Sequence, residues 1–359
     1  ALPAYASALP HLPTLHACVK ALREDNDVEI RQAVAGRLSE VAVALGPAAA
    51  AEVVLPLALS ILEREPPETL LPLLTSLPTL VRVISPLKGQ EGYRAPNPPC
   101  PSRLALGTQL LPLLLNLEAP LSSSWRAHHV LLLQYGTLTD YLEPQTLFTL
   151  VVPSLFAQLT TKIAAPNRLE AIRILCMQLR RLRTATQRAE VCGRLVRDLG
   201  NSDTYALRLN FTHVCGLLLD PSPPCGCSRQ FFKAHHLHTS LLQLATDPVA
   251  NVRLHVCGLL PALKRSLRLP ADADALQNLH HAVVALQSDP ARDVAHAAAA
   301  AEGRLRQLDM LTEGVRAQAD VPLGCLALPT TTPAPAHPTF PRPPFPSPLG
   351  PCAGAPALT

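Results

Sequence analysis

Arginine returns through this chain at a near-constant interval, and that interval restricts the fold more than any other feature of the sequence. The strings VEIR, SSWR, APNR, YALR and ANVR end at Arg31, Arg126, Arg168, Arg208 and Arg253, the later steps being 42, 40 and 45 residues. A further 42 residues reach Ala295 in SDPARDVA, where an Asp-Pro start persists and the Arg does not. The 95 residues from Arg31 to Arg126 accommodate two repeats and an insertion. A chain repeating at this length is built from small units that each bury one face against the next.

The text around the arginines says what the unit is. In TDPVANVRLHVCGLLPAL, Asp247 is placed to cap a helix and Pro248 to occupy its first turn, where a missing N–H costs nothing. Asp289 and Pro290 repeat the pair. Val249, Val252, Val256, Leu259 and Leu263 then fall three and four apart, as do Val294, Ala298, Ala301, Leu305 and Leu308, and Val34, Leu38, Val41 and Leu45 after a cap at Asp27. That spacing draws one buried stripe on each helix. Helix pairs with a period of about 40 to 47 residues indicate a HEAT-type α-solenoid, since ankyrin and tetratricopeptide units are shorter. The expected architecture is all-α, with seven helix pairs whose members meet near residues 25, 66, 122, 166, 202, 247 and 289. Each recurring Arg stands beside the buried stripe near a helix start. From there it can bridge to an acidic or carbonyl group of the neighbouring repeat, with Asp25, Asp27, Asp203, Asp247 and Asp289 as candidate acceptors.

Composition supports this reading and narrows the partners. Hydrophobic residues make up 48% of the chain and aromatic residues only 4%, a Leu- and Ala-rich balance that favours helix pairs over sheets. A net charge of +4 from 31 basic and 27 acidic residues is too even for a nucleic-acid footprint. The apolar run at 42–62 contains Pro47, Glu52 and Pro56, and the run at 104–117 is too short for a bilayer core of about 30 Å, so no membrane span is expected. Cys18, Cys176, Cys192, Cys215 and Cys257 lie in apolar helical text, which suits small buried side chains in a reducing cytoplasm. The start at Ala1, with no basic segment after it, reads as a fragment or processed end without a signal peptide. Two stretches break the pattern. Residues 85–104 are rich in Pro and Gly and read as a loop inserted in a solenoid covering 1–320. Residues 321–359 hold twelve Pro, with Arg342 as the one charged side chain, and read as a disordered or polyproline-like tail.

No motif for catalysis emerges. The Gly-rich phosphate loop, His-Glu-x-x-His and Gly-x-Ser-x-Gly are all absent, and no cofactor is implied. Cys225, Cys227, His235, His236 and His238 put soft and imidazole ligands in one stretch, but Cys-x-Cys is tighter than the usual zinc knuckle. An inter-repeat loop followed by a helix with partly exposed histidines explains them better. RRLRTATQR, from Arg180 to Arg188, is read as a solvated turn with helix C-terminal cations, the alternative being a surface for an acidic partner or a localisation signal. Pro341 and Pro344 flank Arg342 as a possible SH3-type ligand, a pairing that arises readily by chance in Pro-rich text. Trp125, the only Trp, falls at a turn between paired helices, where it either packs inward or anchors a partner.

Three stretches carry a resemblance: SSSWRAHHVLLLQYGTLTDYL, FFKAHHLHTSLLQLATDPVANVRLHVCGLLPALKRSLRLPADADALQ and RLRQLDM. They resemble the HEAT-repeat scaffold subunits of the protein phosphatase 2A group, well over 104–310 and more weakly over 9–87. The resemblance implies a non-catalytic subunit that binds a serine/threonine-protein phosphatase catalytic subunit, of the phosphatase 4 type, and tethers it to targets. The Gly-Asp-x-His-Gly and Gly-Asn-His-Glu metal motifs of such phosphatases are absent here. It further implies partner contacts through turns within repeats, which places Trp125, Arg126, Asp247, Asn251 and Arg253 as partner-binding candidates. It gives Arg31, Arg126, Arg168, Arg208 and Arg253 the role of an inter-repeat ladder. The alternatives are an importin-like or general HEAT protein-protein adaptor. The insertion at 85–104, the Cys225–Cys227 stretch, Ala295 and the tail depart from the family pattern.

Overall fold

A computed structural model describes residues 24–85, 104–222, 225–308 and 311–312, with isolated residues 14, 17, 18 and 21 before them. Most of the expected inserted loop, the first helix of the first pair, the boundary at 320 and the Pro-rich tail with its SH3-type motif lie outside the described residues. Within them the chain is a solenoid of stacked helix pairs. Repeat 1 contributes α1 (Val28–Leu45). Repeat 2 is a rod over 47–64, α2, followed by α3 (Pro67–Ile84). Repeat 3 is α4 over 106–116, the short α5 (Glu118–Leu121) and α6 (Trp125–Leu138). Repeat 4 is α7 over 144–160 and α8 (Ala165–Arg181). Repeat 5 is α9 over 185–200 and α10 (Tyr205–Leu219). Repeat 6 is α11 (Arg229–Ala234), α12 (Leu237–Gln243) and α13 (Ala250–Arg265). Repeat 7 is α14 (Ala273–Gln287) and α15 (Arg292–Arg306).

The turns within repeats fall at 24–27, 65–66, 122–124, 161–164, 201–204, 247–249 and 288–291, so the expected positions hold to within a few residues. Six second helices contact their successors in order, from α1 through α3, α6, α8, α10 and α13 to α15. One apolar core runs the same distance, from Ala35 to Leu305. This is what a stacked-repeat chain requires, because each helix stripe is covered only by its neighbours.

Three details differ from expectation. Helices α13 and α15 begin at Ala250 and Arg292, two residues after Pro248 and Pro290, which therefore lie in the turns and not in a first helical turn. The carboxylates of Asp247 and Asp289 still serve the turn, each accepting an N–H two residues on (Val249 and Ala291, both 2.8 Å). The α1 stripe is Ala35, Leu38, Ala42 and Leu45, with Val34 and Val41 only half-buried, because small residues let α1 approach α3 closely. A Cβ on Gly36 would meet the Pro72 Cβ at 3.1 Å. In α15 the expected Val294, Ala298, Ala301 and Leu305 are all buried. The one strand pair among the described residues is a two-residue parallel bridge, Arg268–Leu269 with Leu311–Thr312.

Proline shapes the first helices in a way the periodicity does not show. In α2, α4 and α7 a π-helical turn (Ala50–Val54, Leu106–Leu110, Leu147–Val151) ends two residues before Pro56, Pro112 and Pro153. In each case the residue just before the Pro donates its N–H to the carbonyl five positions back, as Leu55 does to Ala50. A proline inside a helix removes one bond and crowds the preceding turn. Widening that turn to the π spacing lets the rod continue through it.

Candidate interaction surface

The turns within repeats line one edge of the solenoid, and their side chains divide between holding the stack and facing outward. Two junctions carry the same clamp. Arg208 donates from Nη1 to the carbonyls of Ser202 and Asp203 (2.7 and 2.9 Å) in its own turn. Its Nε and Nη2 reach both oxygens of Asp247 in the next repeat, at 2.5 and 3.0 Å. Arg253 does the same one repeat later, with the Asp247 carbonyl at 2.6 Å and the Asp289 carboxylate at 2.6 and 2.8 Å. The planar guanidinium suits this task because its fork matches a carboxylate while its remaining donors take carbonyls. The Arg253 guanidinium and the Ala291 N–H hold the Asp289 carboxyl below the usual range, against burial. Burial pushes the Asp247 carboxyl up, but the Arg208 hydrogen bond, the Val249 N–H and both neighbouring guanidinium charges outweigh it and leave it lowered. At the other end, Arg31 donates to Glu65 at 3.1 Å and to the carbonyls of Asp25 and Asn26. Asp27 spends its carboxylate on the Glu29 N–H.

Arg126 and Arg168 stand outside this series, and the register explains why. The clamping Arg is three residues after the first helical residue in α1, α10 and α13. Two clamping Asp are three residues before it in α13 and α15. In α6, which starts at Trp125, that donor position is His128, so Arg126 is two places out of step. The acceptor position ahead of α8 is Lys162, and the two cannot pair as a clamp. Arg168 is in register, but the acceptor position ahead of α10 is Ser202. The junction between α6 and α8 is bridged instead by Asn167, which donates to the Trp125 carbonyl at 3.0 Å. His128 is buried and its pKa is lowered mainly by that burial.

The partner-binding candidates therefore separate. Asp247 and Arg253 are consumed in clamps, their side chains 1% and 12% exposed, and offer little to a partner. Trp125 faces outward, 43% exposed, with the Arg126 guanidinium stacked 4.5 Å from its ring centroid. Asn251 is exposed. Tyr205 and Leu169, which the sequence reading passed over, are exposed near the starts of α10 and α8. The signal for Tyr205 was available: like Val28, it stands three residues before a ladder Arg and opens its helix.

The candidate metal ligands have other neighbours. Cys225 is buried with its Sγ near the Arg173 carbonyl, His235 stacks on Phe231 at 4.4 Å, and His238 approaches Thr239. Among the described residues no three His, Cys, Asp or Glu side chains gather to hold a metal ion. Every described cysteine is free, and no described helix is long and apolar enough to cross a membrane.

Comparison with known proteins agrees with this picture. The chain is 31% identical over 227 residues to serine/threonine-protein phosphatase 4 regulatory subunit 4 of Mus musculus and of Homo sapiens. The match covers 63% of this chain and 24% of each relative, so the chain spans about a quarter of their length. The resemblance seen in the sequence is thus borne out as a likeness to a phosphatase regulatory subunit. No family model matches. Among solved structures, a Kap121p mutant superposes with a TM-score of 0.53 at 13% identity, over 82% of this chain and 30% of that one, which bears on the fold alone. A designed armadillo repeat protein gives a TM-score of 0.37 at 14% identity, over 70% of this chain and 99% of that one.

Proposed function

From a likeness over 227 residues to a phosphatase 4 regulatory subunit, we propose that this chain is a non-catalytic scaffold segment that holds a phosphatase 4 type catalytic subunit. That likeness carries the reading. The outward-facing side chains of the turn edge give it a place: Trp125 with Arg126 stacked on it, Leu169, Tyr205 and Asn251. Aromatic and Arg side chains dominate many interfaces because they bury large area at small entropic cost and keep a polar handle. Stacking fixes Trp125 and Arg126 before binding, which lowers the ordering cost further. The scaffold does no chemistry. It raises the effective concentration of enzyme and target by holding both. We place the activity in the cytoplasm, consistent with the free thiols, and assign it no nucleic-acid or membrane partner and no cofactor.

Affinity purification of the tagged chain from cells tests the proposal. A phosphatase 4 type catalytic subunit should be recovered, and Trp125→Ala with Tyr205→Ala should reduce recovery about tenfold or more while helix content stays unchanged. If a control scaffold recovers the enzyme and this chain recovers none, the proposal is wrong.

A further inference from the structure

The opposite edge of the solenoid carries a charge pattern that the proposed docking edge does not use. Helix α8 ends in Arg180 and Arg181, and the turn to α9 adds Arg183. Arg188 lies in the first two turns of α9. This turn is at the far end of α8 from Leu169, roughly 20 Å away at the helical rise. Its geometry is fixed. Arg188 donates from Nη1 to the carbonyls of Leu182 and Arg183 at 2.8 and 2.9 Å. Leu182 is buried beneath the turn, and Thr184 caps α9 through the Gln187 N–H at 3.2 Å. Gln187 also donates to Gln145 at 2.8 Å, which sets the starts of α7 and α9 side by side.

Opposing charge near this turn comes from Asp140, Glu143 and, one repeat on, Asp220, which opposes Arg180 at the Cys225 thiol. Asp140 and Glu143 precede α7. Burial pushes the Asp140 carboxyl up, partly offset by the Arg181 charge, and Arg181 reaches only the Asp140 carbonyl, at 3.5 Å. Glu190 follows Arg188 by two residues and so points away from it around α9. His235, in the next repeat, is lowered by burial and by the Arg188 charge, so the cationic field extends across the junction. The Arg183 side chain is exposed and makes no ion pair or hydrogen bond among the described residues. Helix C-terminal cations explain Arg180 and Arg181. They do not explain Arg183, which lies in the turn beyond the helix end, while Arg188 is held over the turn by the carbonyls of Leu182 and Arg183.

We infer that the edge formed by Arg180, Arg181, Arg183 and Arg188 is a second docking site, for a carboxylate-rich peptide segment of a partner protein. Guanidinium forks pair with carboxylates two bonds at a time. Nucleic acid fits less well. No aromatic residue lies between Arg180 and Arg188 to stack on bases, and the chain as a whole is near charge balance.

The test is fluorescence anisotropy of a dye-labelled short polyglutamate peptide against the full chain. Arg181→Glu with Arg183→Glu should weaken binding about tenfold or more, and Arg181→Gln with Arg183→Gln by a smaller factor. Arg37→Glu with Lys162→Glu, the same charge change elsewhere, should leave it within about twofold. Binding should also fall as salt rises from about 50 to about 200 mM. Circular dichroism checks that each variant folds, and the Gln pair keeps the test valid if the Glu pair does not. Three outcomes overturn the inference: no binding by the unmodified chain, equal loss in both double reversals, or tighter binding of an equally charged DNA oligonucleotide that is lost in the same variant.

Discussion

Replacing Asp247 with Ala removes the acceptor of the best-formed clamp and leaves its donor in place. The Arg208 side chain is 11% exposed and loses two charge-assisted bonds at 2.5 and 3.0 Å, while the Val249 N–H loses its acceptor at 2.8 Å. Stranding one member of a buried pair costs about 3–5 kcal/mol. Here the guanidinium keeps the carbonyls of Ser202 and Asp203, so the lower end, about 3 kcal/mol, is expected. That is roughly a hundredfold in the opening of the junction between repeats 5 and 6. Because such a stack is stabilised by nearest-neighbour interfaces, the loss should be local. Hydrogen exchange should quicken in α10 and α13 and remain unchanged in α3, and the urea midpoint should fall. A double-mutant cycle with Arg208→Ala should return about 2 kcal/mol of coupling. The contrast is Arg126→Ala, where no clamp exists and the change should stay within about 0.5 kcal/mol. A loss below about 1 kcal/mol for Asp247→Ala, or equal losses at Asp247 and Arg126, would refute the reasoning. Acidity gives an independent check. Both clamp carboxyls are lowered in the fold, so the stability they add is complete above the unfolded value of about 3.9 and disappears as pH falls through the folded values. Acid unfolding of Asp247→Ala should accordingly be shallower than that of the unmodified chain.

Two further outcomes follow from packing. Burial pushes the Cys176 and Cys215 thiols well up, and Cys192 and Cys227 to about 12, whereas Cys18 is exposed. A thiol reagent near neutral pH, read by mass spectrometry, should label Cys18 first and spare Cys176 and Cys215 until denaturant is added, and early labelling of either would contradict the packing. Gly36→Val should cost about 1–3 kcal/mol in a denaturant titration, since even a Cβ there lies 3.1 Å from Pro72, and a neutral result would mean that α1 and α3 are farther apart than described.

The pairing of helices was legible because it rests on signals that recur: apolar spacing, turn residues and the interval between arginines. Every turn could be placed from these to within a few residues. The ladder was legible only in part, because a repeated residue type is not a repeated register. Arg126 matches the interval yet sits two positions from the clamping site, and only the helix start at Trp125 reveals it. Arg168 matches the register yet lacks a carboxylate, since Ser202 stands where Asp247 stands one repeat later. A clamp needs both partners, and the interval reports one. Glu65 was missed for the converse reason: it lies two residues before α3, not three, and reaches Arg31 through its longer side chain. The π turns were invisible to a period count, although those of α2, α4 and α7 are announced by a Pro in the middle of an apolar run; the fourth, Leu195–Gly200 in α9, has no Pro to announce it.

A turn on this edge can direct its side chains to the next repeat or outward, and the charged clamps take the first course. Where Arg and Asp both occupy their positions, at Arg208 with Asp247 and at Arg253 with Asp289, the charges are buried in the stack. At the unclamped starts of α6 and α8, Trp125 and Leu169 are 43% and 47% exposed, and Tyr205, which opens the clamped α10, is 50% exposed, so outward-facing side chains occur beside clamps as well. An unclamped junction is held by apolar packing and by single bonds such as that from Asn167 to the Trp125 carbonyl. Such a junction yields more readily under an applied contact than one with a bidentate ion pair. A partner seated on Trp125 and Leu169 would therefore meet the part of the edge best able to adjust its curvature. The clamped repeats 5 to 7 would serve as the stiff end against which that adjustment is made.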